Sequence, residues 1–204
     1  MGSVLVIGGG AAGLAAAIAA AECGDTVTVA EKMDRVGKKI LATGNGRCNL
    51  MNTGAPRYPG NAAFAADVLS HCGAEAQKAF WEHLGLRLRQ EEAGRVYPVS
   101  SQASSVLDAL RLQLTALHVR VVTGVSITAL QRENDGWTAL SADGQRFRAN
   151  RVIISGGGCA QPKLGSDGSA LRLLTNLGCP ATTFAPALTQ IITDSTPIKG
   201  LSGI

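Results

Sequence analysis

The chain has 204 residues, 46% apolar and 17% charged, with 25 glycines, so it can bury a sizeable core and belongs with globular rather than disordered sequences. Its formal net charge of +4 comes without any run of Lys or Arg that would track a phosphate backbone, so no nucleic-acid partner is expected. No apolar stretch approaches the roughly 18 residues needed to cross a bilayer, and no targeting segment stands at the N-terminus, so the expectation is a cytoplasmic protein without a membrane partner.

Ser3 to Ile7 is a short, largely apolar run driving into Gly8-Gly9-Gly10, the pattern of a strand buried on both faces of a parallel sheet. Leu14 to Glu22 is made of strong helix formers, with Gly24 where a left-handed C-terminal cap belongs. Thr26 to Ala30 alternates Thr and Val as a second strand, which completes a βαβ unit. Residues 34–60 show no periodicity and are rich in Gly, Asn, Arg and Pro; so long a loop in a compact domain is uncommon unless it binds something. Ala62 to Leu84 predicts one or two helices, with Phe64, Val68, Leu69, Ala79, Phe80 and Leu84 available for an apolar face.

Gln90 to Val99 reads as a polar break punctuated by Gly94 and Pro98. Ser100, Ser101 and Ser104 offer N-caps for a helix through Leu117, and Val119 to Val122 reads as another buried strand. Residues 126–148, turned at Asn134-Asp135-Gly136 and Asp143-Gly144, predict a small antiparallel meander. Arg151 to Ser155 then repeats the opening, an apolar run into Gly156-Gly157-Gly158. Asp167 to Leu177 predicts a helix ending at Gly178, and beyond Pro180 the chain is Thr-rich and extended.

Gly8-Gly9-Gly10-Ala11-Ala12-Gly13 satisfies GxGxxG between a strand and a helix, the setting in which that motif carries weight. Gly8 allows the tight turn, Gly10 lets a pyrophosphate approach the backbone, and Gly13 lets helix and strand pack closely. The helix start at Ala11 and Ala12 then presents free N–H groups and a partial positive charge to a diphosphate. Glu31, at the end of the second strand, is placed to accept hydrogen bonds from an adenosine ribose, and its charge would repel a 2′-phosphate. These features leave FAD and NAD both open. The loop from Gly37 through Lys39, Thr43, Gly44, Asn45, Arg47 and Cys48 to Asn49 adds small residues, amides and cations where an extended FAD would continue; Lys38, Lys39 and Arg47 could neutralise diphosphate charge.

The five cysteines, Cys23, Cys48, Cys72, Cys159 and Cys179, show neither CxxC nor metal-ligand spacing, so they read as reduced thiols, with no metal expected. By residue type, four of the five are expected to be buried or half-buried. Cys48 has no second cysteine at the spacing a redox pair requires, which favours a plain small residue there. His71, His83 and His118 do not cluster.

The loop Gly37 to Asn49, with Thr43-Gly44-Asn45-Gly46-Arg47-Cys48-Asn49 as its core, resembles the signature loop of the BaiN-like (YhiN-like) NAD(P)/FAD-dependent oxidoreductases, some of which are called aminoacetone oxidases. Gly94-Arg95-Val96-Tyr97-Pro98, Val152 to Gly157 and Pro162-Lys163-Leu164-Gly165-Ser166 resemble further segments of that family in the same order, so the resemblance covers essentially the whole chain. It implies an α/β fold: a Rossmann-like FAD-binding domain with a parallel sheet and a small antiparallel meander over residues 1–185, and the start of an inserted β-rich domain over 186–204. It also implies that Gly8, Gly10, Gly13 and Glu31 hold the ADP part of FAD and that Lys32 and the 37–49 loop run beside the rest. In that picture the backbone near Val125 touches the adenine, and Gly156 and Gly157 pass close to the cofactor. The family reads Gly-Asp-Gly where this chain has Ser166-Asp167-Gly168-Ser169, and its members are about twice as long, so a fragment or truncated chain is expected to hold FAD without efficient turnover.

The expected activity is flavin-mediated electron or hydride transfer to a small-molecule substrate, with NAD(P)H as electron donor. The alternatives are an NAD-binding Rossmann dehydrogenase and a non-catalytic FAD-binding fragment. A flavoprotein acting on RNA is disfavoured by the modest charge and the absence of an interleaved basic and aromatic patch.

Overall fold

A computed structural model describes residues 1–55, 58 and 60–184; the expected start of an inserted domain at 186–204 lies outside the described residues. The βαβ opening is present as β1 (Ser3–Ile7), α1 (Ala11–Glu22) and β2 (Thr26–Ala30). Next come α2 (Lys38–Ala42), β3 (Met51–Asn52), α3 (Ala62–His71), α4 (Ala74–His83), β4 (Leu88–Gln90), β5 (Arg95–Pro98) and α5 (Ala103–Ala116). The remainder is β6 (Arg120–Val122), the meander β7 (Ile127–Glu133), β8 (Gly136–Ser141) and β9 (Arg146–Ala149), then β10 (Arg151–Ile154) and α6 (Ser169–Asn176).

The parallel sheet has the order β10-β1-β2-β6, with Ile7 in register between Ala30 and Ile154. The two-residue period of β1 divides its side chains between two cores. Val4 and Val6, with Val27 and Val29, meet Leu14, Ala17 and Ile18 of α1 and Val106, Leu107 and Leu110 of α5. Leu5, Ile7 and Ala30 meet Val125, Ile127, Ala139 and Phe147 on the meander side, and Leu173 of α6. The protein is thus layered as helices, parallel sheet and meander. Helix α1 ends as its sequence predicts: Gly24 takes φ +87°, its N–H donates to Ala21 O at 2.9 Å, and Asp25 N–H donates to Ala20 O at 3.2 Å, a Schellman closure.

Several local expectations need correction. Residues 34–60 contain the short α2 and β3, and Gln90–Val99 contains β5, which pairs with both β3 and β4 and buries Val96, Tyr97 and Pro98. A tight 3-10 turn with Ala93 and Gly94 at positive φ makes that pairing possible, so the glycine marks a hairpin rather than a break. Strand β6 lies at the edge of the described sheet, which leaves Val121 exposed. The serines do not cap α5: Gln102 holds the cap position, while Ser101 N–H donates to Pro98 O at 2.8 Å in a tight turn. Phe64 and Val68 of α3 are exposed, whereas Phe80 and Leu84 pack against the core, with Trp81 beside them.

Candidate functional site

The three motif glycines meet three different constraints. At Gly8, φ is +107° and a Cβ would lie 2.8 Å from the backbone of Ser155 and Gly156, so β10 closes on the turn. A Cβ at Gly13 would lie 1.9 Å from Gly8 O. At Gly10 a Cβ would meet nothing within 4 Å, which leaves the backbone open to a ligand at the head of α1. No side chain caps α1 and no acidic residue occupies its first turn, so its leading N–H groups suit an anion. Ser155, which the sequence reading did not single out, ties the arrangement together: its hydroxyl lies 3.1 Å from both Ile7 O and Gly8 O.

Glu31 is only 8% exposed, and its carboxylate is held by the turn itself. Gly9 N–H donates to Oε2 at 2.6 Å and Met33 N–H donates to Oε1 at 2.8 Å. Each carboxylate oxygen has a second acceptor site, so ribose hydroxyls can be bound without breaking these bonds. Val125 N–H donates to Glu31 O at 2.9 Å, so this N–H is not free to donate to a ligand.

A cavity of about 380 Å³ runs between these elements. It brings together Gly8, Gly10, Ala11, Ala12, Glu31, Lys32, Gly37, Lys39, Thr43, Cys48, Asn49, Val125, Gly156 and Gly157. Gly13 is packed behind the turn, and Gly44, Asn45 and Arg47 do not line the cavity. Its wall also includes Ser155, Leu164 and Ser166, which lie in the family-like segments Val152 to Gly157 and Pro162 to Ser166 but were not singled out as site residues, and Met33 and Leu173, which no motif marks because they come from a strand exit and a helix far apart in the chain.

The 37–49 loop is anchored by Gly37, whose N–H donates to Gly9 O at 2.8 Å and whose φ is +74°. Its cations have separate partners. Lys38 pairs with Asp34 at 2.5 Å, and Lys39 donates to the Ser166 hydroxyl. Arg47 pairs with Glu91 at 2.5 Å and stacks 4.1 Å over the Tyr97 ring, which fixes the loop to β5 instead of supplying charge to the cavity. Gly44 and Asn45 occupy left-handed conformations and are exposed. The Asn49 amide, with its nitrogen facing the strands, donates to Met51 O at 3.0 Å and Val96 O at 3.3 Å.

Cys48 is buried, whereas Cys23, Cys72, Cys159 and Cys179 are exposed, the reverse of the expectation from residue type. Burial pushes the Cys48 thiol up, and the Thr43 hydroxyl offsets this only in part, so the group is a poor nucleophile at neutral pH. Alkylation of the native protein at neutral pH is expected to label four cysteines and spare Cys48; peptide mapping that finds rapid Cys48 labelling would show an open, activated thiol instead.

The sequence matches the HI0933-like protein Rossmann domain family over residues 2–186. It is 43% identical to the 3-dehydro-bile acid delta(4,6)-reductase of Clostridium scindens, in a match covering 100% of this chain and 51% of that protein. It is 24% identical to the ribosomal RNA dihydrouridine synthase of Haemophilus influenzae over 86% of this chain and 45% of that protein. The chain therefore spans about half the length of the curated relatives it matches. Among solved structures, the open conformation of a flavocytochrome c3 fumarate reductase superposes with a TM-score of 0.61 at 17% identity, over 86% of this chain and 40% of that one, a likeness of fold. No helix among the described residues is long and apolar enough to cross a membrane.

Proposed function

Because the chain belongs to the HI0933-like Rossmann family, we propose that it is the FAD-binding part of an oxidoreductase that takes electrons from NAD(P)H and passes them to a small-molecule substrate. The observation that carries this reading is the continuous cavity joining the open backbone at Gly10, the buried carboxylate of Glu31 and the 37–49 loop. The uncapped head of α1 would take the diphosphate, and Glu31 the adenosine ribose. Past Gly37 and Lys39 the wall continues to Cys48, Leu50 and Trp81, which gives a ligand longer than ADP something to contact. When bound, FAD supplies two-electron hydride chemistry, and the protein's share is binding and orientation. The greater identity to a reductase named for a bile acid than to an enzyme named for ribosomal RNA supports a small molecule, with electrons flowing toward it.

The test is to denature the purified protein and identify the released small molecule by mass, then to follow bleaching of the flavin absorbance by NADH or NADPH without oxygen. FAD with bleaching by a nicotinamide supports the reading. Release of NAD, or no flavin even after incubation with FAD, would contradict it.

A further inference from the structure

The segment between β10 and α6 faces the cavity with Leu164, Gly165 and Ser166, yet no apolar side chain from residue 158 to residue 168 is buried. Its shape is that of a small Ω-loop. Gly168 N–H donates to Gly158 O at 3.1 Å to close the base, and Ser166 N–H donates to Gln161 O at 3.0 Å to draw in the tip. Gly157 and Gly168 flank it at φ +77° and +81°, where backbone rotation is least restricted.

The polar side-chain contacts that carry this loop across to the opposite wall both come from lysines. Lys32, at the exit of β2, places its ammonium 2.6 Å from Asp167 Oδ1 and 3.1 Å from the Ser169 hydroxyl. Lys39, on α2, donates to the Ser166 hydroxyl. Both lysines line the cavity, on the side that holds Glu31. The Asp167 carboxylate is further fixed by Ser169 N–H at 3.0 Å, and the contact with Lys32, ahead of that with Ser169, holds its carboxyl well below the usual carboxylate range. A loop attached by polar contacts and anchored by no buried apolar side chain lies at the low end of local stability, where opening is least costly.

We infer that residues 158–168 form a hinged cover over the dinucleotide cavity, latched by Lys32 on Asp167 and by Lys39 on Ser166, and that the latch sets how fast the cofactor leaves. This rests on the dinucleotide reading given above. Asp167 acts as a positioning residue: it holds the cover through Lys32 and does not itself line the cavity.

The test measures FAD dissociation from the protein, by recovery of flavin fluorescence, across a salt series for the parent, Asp167→Asn and Asp167→Glu. Asp167→Asn is expected to melt like the parent and to release FAD roughly three- to tenfold faster, the range of one partly exposed charged hydrogen bond. Its release should also respond less to ionic strength, because the screened ion pair is gone, while Asp167→Glu should stay near the parent. Unchanged release from Asp167→Asn, or faster release with the parent's salt dependence, would overturn the latch. A parent protein that takes up no FAD would overturn the dinucleotide reading, and the latch with it.

Discussion

Gly13→Ala is expected to destabilise the protein by about 3 kcal/mol, at the upper end of overpacking penalties. The added Cβ would sit 1.9 Å from Gly8 O and 2.5 Å from Ser155 Oγ. Neither neighbour is the loose end of a flexible side chain. Gly8 O belongs to the turn, and the Ser155 hydroxyl is occupied by the carbonyls of Ile7 and Gly8. Relief therefore requires α1 to move off the sheet, which loosens the packing of Leu14, Ala17 and Ile18. Alanine would gain about 1 kcal/mol in helix propensity, too little to offset this. A urea or thermal melt of the cofactor-free protein is the check; a variant as stable as the parent would mean that helix and turn are not so closely packed.

The second large effect is expected at Glu31. Glu31→Gln should cost about 2–4 kcal/mol in the cofactor-free protein, because a glutamine has one acceptor oxygen for two backbone donors. Whichever way the amide turns, its NH₂ faces the N–H of Gly9 or of Met33, both of which now donate to carboxylate oxygens. Glutamine should therefore rescue little compared with Glu31→Ala. Both variants should also lose roughly 1–3 kcal/mol of FAD affinity, the charge-assisted hydrogen bonds to the ribose. Melts and FAD titrations of the two variants test this, and parent-like behaviour of Glu31→Gln would remove Glu31 from both roles.

The sequence made the βαβ opening, the meander and the second glycine return legible because each depends on short-range pattern: an apolar run into glycines, or alternation bounded by Asn-Asp-Gly. Glu31 was legible for the same reason, since its distance from Gly13 is set by one helix and one strand. Its bonds to Gly9 and Met33 were not, because they depend on how the turn folds back. Strand β5 was hidden by Gly94 and Pro98, whose usual meaning is a break, and only pairing with β3 and β4 gives them another. Arg47 looked like a cavity cation because composition cannot show that Glu91, forty-four residues on, and the Tyr97 ring hold it elsewhere. Lys32 and Asp167 are separated by 135 residues, and no local pattern predicts such a contact.

The central claim, that the open backbone at Gly10 is where a dinucleotide lies, is tested most directly by titrating FAD into the parent and Gly10→Val proteins after comparing their melts. A Cβ at Gly10 meets nothing within 4 Å, and φ of −82° with ψ of −175° suits a branched residue, so the variant is expected to fold and melt like the parent. Its side chain would fill the space left for the diphosphate, so the parent should bind FAD and the variant should not. A Gly10→Val protein that binds FAD as tightly as the parent would contradict the account.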